Sequence, residues 1–230
     1  MAEMKKEMNP VLSAVILYLL AFLAVALVVG LLGAAWGLLA DRIAARWPAH
    51  EDGSVRRVDW RTPLVALFGG ASLALLVLRQ GDPLALAIFG SCFVALTLLL
   101  ATDLDQRLLP DLITLPAIPL ALIVGLLGWN PLVAGELPGA LLAALVFPAG
   151  LYALSIPFGA GAIGIGDLKL LVSVGLLAGL GRTLAGVLVG ALLAGVVVLA
   201  LLALRRVTLR TYIPFGPFLI VGAVWGILFG

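Results

Sequence analysis

Apolar residues run along this chain in long blocks, and polar residues are confined to the short stretches between them. A bilayer core about 30 Å thick takes about 20 helical residues to cross, so blocks of this length read as membrane helices. The pattern predicts eight spans: Pro10–Ala40, Pro63–Leu78, Pro83–Thr102, Leu112–Leu127, Leu137–Phe158, Asp167–Leu180, Thr183–Leu204 and Ile213–Phe229. The second, fourth and sixth are short for a bilayer core, which predicts thin embedding or enclosure by other helices. The first is longer than a signal-peptide core and carries no convincing cleavage site, so it reads as a retained helix. The expected fold class is therefore all-α: a polytopic membrane protein with about eight transmembrane helices.

Composition agrees. The chain of 230 residues is 63% hydrophobic and 11% charged, with a mean hydropathy of +1.24. That excludes a soluble domain of this size. The net charge of +2 reflects where lysine and arginine lie, not a nucleic-acid patch. Arg42, Arg46, Arg56, Arg57, Arg61, Arg107, Lys169, Arg205, Arg206 and Arg210 fall in one set of loops; Lys5, Lys6, Arg79 and Arg182 fall in the other. Ten against four puts the first set in the cytoplasm and both termini outside. Most tryptophans lie near predicted helix ends, as an interfacial belt requires. Cys92 is the one cysteine, so an intrachain disulfide and a multi-cysteine zinc site are both excluded. Gly186-x3-Gly190 and Ala191-x3-Gly195 on the seventh predicted helix are small-residue patterns that allow close packing, within the chain or in a homodimer.

Against this background two carboxylates stand out: Asp103, at the end of the third span, and Asp167, at the start of the sixth. A charge at membrane depth costs about 3 kcal/mol on insertion scales, so such residues are functional candidates. The predicted topology puts both on one face. Asp103 opens Asp-Leu-Asp-Gln-Arg-Leu-Leu-Pro-Asp, with three carboxylates in nine residues. Asp103 is closest to the apolar run and best placed for desolvation. Asp105 and Asp111 are expected to face water, with Asp111 capping the next helix. Asp167 follows a glycine-rich stretch, Gly159–Gly166. Gly159, Gly161 and Gly164 match a dinucleotide fingerprint formally, but membrane helices flank it instead of a strand and a soluble helix, so that reading is rejected. The stretch reads as irregular backbone lining a wet cavity, where glycine lets another chain approach.

The two motifs together resemble the prepilin peptidases, intramembrane aspartyl proteases with a Gly-x-Gly-Asp signature. The resemblance rests on Asp103–Asp111 followed by Thr114-Leu115-Pro116, on Gly164–Leu171, and on Ile213–Leu219, three matches in order. It implies Asp103 and Asp167 as the catalytic pair, with Gly164, Gly166, Lys169, Pro214 and Gly216 as substrate-binding or loop residues. It implies residues 63–230 as the peptidase domain. Residues 1–62 would then be an N-terminal helix and short cytoplasmic linker. Many members carry two Cys-x-x-Cys pairs in that linker; here it passes through His50, Glu51 and Asp52 without a cysteine. The zinc module is therefore missing, which counts against the N-methyltransferase activity of the bifunctional members. His50 reads as solvated.

The implied activity is cleavage of the basic leader from prepilin-like or pseudopilin substrates at the cytoplasmic face of a bacterial inner membrane. It requires no metal or organic cofactor and no nucleic acid; lipids and substrate are the expected partners. The two aspartates would share a proton and titrate as one coupled pair. Lys169 would tune the pair or meet lipid phosphate. A small transporter or channel subunit with membrane-edge carboxylates is the competing class, and a non-catalytic scaffold a third.

Overall fold

A computed structural model describes residues 10–49, 53–159, 163–208 and 214–230; His50, Glu51 and Asp52 lie outside them. The elements are α1 (Pro10–Ala44), α2 (Arg61–Arg79), α3 (Pro83–Gln106), α4 (Asp111–Leu126), α5 (Leu137–Ser155), a short 3-10 turn (Ile156–Phe158), α6 (Ile165–Ala203) and α7 (Gly216–Phe229). Among the described residues all regular structure is helical. Five helices are long and apolar enough to cross a membrane; α4 and α7 are shorter.

Among the described residues continuous α-helices thus number seven, one fewer than the eight spans expected. The predicted sixth and seventh are two arms of α6, joined at Gly179 with φ of 75°. Only glycine adopts that backbone readily, so the break falls on one residue instead of a loop. The arms fold back on each other: Leu170 and Val174 of the first line one small cavity with Thr183 and Val187 of the second. Near the break, the buried Asn130 Nδ2 donates to the Leu177 carbonyl at 2.7 Å. That bond anchors the α4–α5 loop to the end of the first arm, where carbonyls lack helical donors.

Glycine also sets how closely the helices pack. A methyl group on Gly37 of α1 would lie 2.5 Å from the Val65 carbonyl oxygen of α2, and one on Gly70 would lie 3.0 Å from the Gly30 oxygen. Gly33 meets Gly69 between them, so α1 and α2 are antiparallel with backbones touching. The second arm of α6 meets α7 similarly: methyls on Gly186 and Gly190 would lie 2.5 Å and 2.6 Å from the oxygens of Gly222 and Phe218. The expected intramolecular use of Gly186 and Gly190 holds; Gly195 faces open space.

α3 is the central helix. Asp82 caps its start, accepting from the Ala85 amide at 2.8 Å, with Pro83 at the first helical position. Phe89, Phe93 and Leu100 are buried against Leu170 and Val174 of α6 and Ile220 of α7. On its other side Trp36 Nε1 of α1 donates to the Val94 carbonyl at 2.9 Å, so this tryptophan ties two helices together. The charged residues separate by end. Arg79 lies 4.4 Å over the Phe229 ring, and a methyl on Gly230 would lie 3.0 Å from Arg182 Cα. At the opposite end Arg56 and Arg61 reach Asp105, and Lys169 reaches Asp111.

Candidate active site

Three chain segments meet at that opposite end. The last turn of α3 carries Asp103, the first turn of α6 carries Asp167, and α7 begins between them at Gly216. Both carboxylates are buried, at 4% and 7% exposure. A methyl group on Gly216 would lie 2.5 Å from Asp103 Oδ2 and 3.0 Å from Asp167 Oδ1. One absent side chain therefore leaves room for both, and the two oxygens can be no farther apart than those distances allow together. Asp103 Oδ2 is buried without a hydrogen-bond partner, and a methyl on Gly164 would lie 3.5 Å from Asp167 Oδ2.

A cavity of about 530 Å³ opens over the pair. The residues expected around the site, Gly164, Gly166, Lys169, Pro214 and Gly216, all line it, together with Arg107, Leu109 and Asp111. Gly166 is held close: a methyl there would lie 2.8 Å from Leu109 Cβ. Arg107 ends α3 with φ of 56°, an uncommon conformation outside glycine. Its amide donates to the Asp103 carbonyl at 2.9 Å, closing the helix just past the carboxylate. Lys169 Nζ lies 2.6 Å from Asp111 Oδ1 across the mouth. Asp111 is largely exposed, as expected, but it does not cap α4. Pro110 holds the cap position, and Asp111 lies in the first turn, where a negative charge suits the helix dipole.

Asp105 corrects the sequence reading. It was expected in water; its side chain is 2% exposed, 2.6 Å from Arg56 Nε and 2.9 Å from Arg61 Nη1. The reason is rotation: two residues along a helix turn the side chain to nearly the opposite face. That face meets the segment between α1 and α2. Arg56 also pairs with Asp59 at 2.7 Å and with the fully buried Asp41. Asp41 in turn accepts from Thr62 Oγ1 at 2.7 Å and pairs with Arg42. Burial works against the Arg56 charge, but the Asp41 hydrogen bond and the fields of Asp41, Asp105 and Asp59 outweigh it and hold its pKa above the ordinary arginine value. Gln106 Nε2 adds a bond to the Pro48 carbonyl at 2.7 Å. Sequence reasoning missed Asp41, although it carries the signal that marked Asp103, a carboxylate closing an apolar block. Among the described residues no three His, Cys, Asp or Glu side chains gather as a metal-ligand set.

Fold and site together define a class: a multi-pass helical protein with two buried carboxylates converging at one end of the bundle. The comparisons narrow it. The model of the type IV leader peptidase family matches residues 88–204, and the chain belongs to that family. A "Prepilin leader peptidase/N-methyltransferase" of Burkholderia pseudomallei (strain 1026b) is 34% identical over 171 residues, 74% of this chain and 55% of that protein. Proteins of the same name are 32% identical in Dickeya chrysanthemi over 74% of this chain and 60% of theirs, and 33% identical in Pseudomonas putida over 76% and 61%. The chain thus spans somewhat more than half the length of these relatives. No solved structure matches it. Nothing in these matches supports a transporter.

Proposed function

We propose that the chain is an aspartic endopeptidase that removes the leader from prepilin-like or pseudopilin substrates, with Asp103 and Asp167 as the catalytic pair. The observation that carries this is the meeting of both carboxylates at Gly216. The ionised aspartate takes a proton from a water molecule as the water oxygen attacks the scissile carbonyl carbon. The protonated aspartate gives its proton to the carbonyl oxygen. Collapse of the resulting diol breaks the carbon–nitrogen bond; the leaving nitrogen takes up the proton gained from water, and a diol hydroxyl returns a proton to the other aspartate, restoring the pair. The absent side chain at Gly216 lets the two carboxylates approach each other.

The charge asymmetry supports a cytoplasmic site with both termini outside, in a bacterial inner membrane. Residues 63–230 form the peptidase unit in this reading, and 1–62 an N-terminal helix and linker. No cysteine lies between α1 and α2, so methyl transfer to the new N-terminus is not expected. A homodimer would use Ala191 to Gly195, because α7 already covers Gly186 and Gly190. The test is incubation of the solubilised chain with a full-length prepilin, followed by mass spectrometry of the product's N-terminus. A new, unmethylated N-terminus after the basic leader is expected; an intact substrate with the parent chain overturns the reading.

A further inference from the structure

Among the described residues, three charged side chains line the catalytic cavity besides the two aspartates: Arg107, Asp111 and Lys169. Asp111 is thus the one carboxylate on that lining which the mechanism does not use. Its side chain is 61% exposed, while that of Lys169, which meets it, is 24% exposed. The carboxylate therefore faces the entrance, and the ammonium reaches it from inside. Asp111 begins α4, and Lys169 lies near the start of α6, two residues past Asp167. Their 2.6 Å contact bridges the α4 and α6 sides of the cavity.

A bridge this exposed contributes little to the fold and opens readily. Its composition shows what the carboxylate accepts. A lysine ammonium is seated on Oδ1, so a second cation can approach through Oδ2 before the first leaves. Exchanging one ammonium for another keeps the charge contacts at Asp111 constant. Position agrees. An extended peptide advances about 3.3 Å per residue, and Asp111 is one lysine side chain away from the helix turn that carries Asp167. A side chain a few residues from the cut can therefore reach it. Charge agrees as well. Without Asp111 the mouth would hold Arg107 and Lys169 alone and would repel a basic peptide.

We propose that Asp111 is a subsite for a cationic side chain of the substrate leader, held by Lys169 until the substrate's own cation displaces it. Resting on the peptidase reading, this makes Asp111 a specificity residue and not a member of the catalytic pair: it exchanges no proton and touches no reacting atom. Lys169, once released, turns to the water at the mouth. A neutral peptide has nothing to offer Asp111 in place of Lys169, so the bridge sorts peptides by charge before chemistry begins.

The test measures KM and kcat for the parent chain, Asp111→Asn, Asp111→Glu and Lys169→Ala on two full-length prepilins. One keeps its basic leader; in the other every leader lysine and arginine is changed to glutamine. Asp111→Asn should raise KM for the basic substrate about tenfold with little change in kcat, the pattern of lost ground-state binding. It should leave KM for the neutral substrate at the parent value. Asp111→Glu, which keeps the charge, should restore most of the affinity. Lys169→Ala, which vacates the subsite, should lower KM for the basic substrate about twofold and leave the neutral one alone. An equal rise in KM for both substrates, or no rise for either, overturns the subsite while leaving the peptidase reading intact. If Lys169→Ala raises KM for the basic substrate or leaves it unchanged, the displacement of Lys169 is overturned. Failure of the parent chain to cut the basic prepilin overturns both readings. If Asp111→Asn does not fold, Lys169→Ala decides.

Discussion

Asp103 and Asp105 are separated by one residue on the same helix, and they occupy opposite chemical worlds. Both are buried. Asp105 is held between two arginines. Asp103 leaves one oxygen without a partner and shares its corner with a second carboxylate across Gly216. A buried carboxylate held by two arginines serves the fold, and losing it takes a partner from buried charge. In the proposed mechanism two carboxylates facing each other share one proton. Burial alone is thus no sign of catalysis; the neighbour decides.

That contrast can be broken in four places. Asp103→Asn and Asp167→Asn should each lower prepilin cleavage by about 10³-fold or more, because a neutral amide cannot exchange the shared proton. The thermal melting temperature in detergent should hold. Substantial residual cleavage in either variant removes that residue from the pair. Gly216→Ala should come next, with kcat falling about 10²-fold, since its methyl displaces both carboxylates from a position that chemistry needs held closely. Kinetics on a folded, monodisperse sample check this, and normal turnover would mean that the cradle is not needed.

Asp105→Asn should reverse the profile of Asp103→Asn. It takes one carboxylate from Arg56, which keeps Asp41 and Asp59, and the nearest one from Arg61, and should cost about 2 kcal/mol of stability, while cleavage per folded molecule survives. Denaturation midpoints and specific activity, measured on the same preparations, separate the two. Lys169→Ala should have the smallest effect. Its pair with the exposed Asp111 sits at the mouth, and such pairs contribute about 0–1 kcal/mol. A large loss of activity there would give Lys169 a role at the pair itself.

Much of this architecture is legible in the chain. Blocks of apolar residues mark the helices because a bilayer rewards uninterrupted runs. Asp103 and Asp167 stand out because so few charges border those runs. Arg79 and Arg182 separate from Arg56, Arg61 and Lys169 in sequence as they do in space. What stays hidden depends on rotation and on contacts between distant segments. Nothing local says that Asp105 turns toward Arg56, 49 residues earlier. The break at Gly181–Arg182 reads as a loop, although the turn is concentrated at Gly179. The small residues of the second α6 arm form a readable pattern, while the same close approach of Gly30, Gly33 and Gly37 to Gly70, Gly69 and Val65 is not anticipated.

That α1–α2 contact bears on how this chain tolerates random substitution. Gly33, Gly37 and Gly69 lie against the facing helix and not against Asp103 or Asp167, yet every other residue type would drive a carbon into the opposing backbone. A library scored only for cleavage would rank them with Asp103 among the intolerant positions. A library scored also for the amount of protein in the membrane would divide the two sets. The glycines would vanish from the membrane fraction, and the aspartate variants would accumulate there without cutting anything.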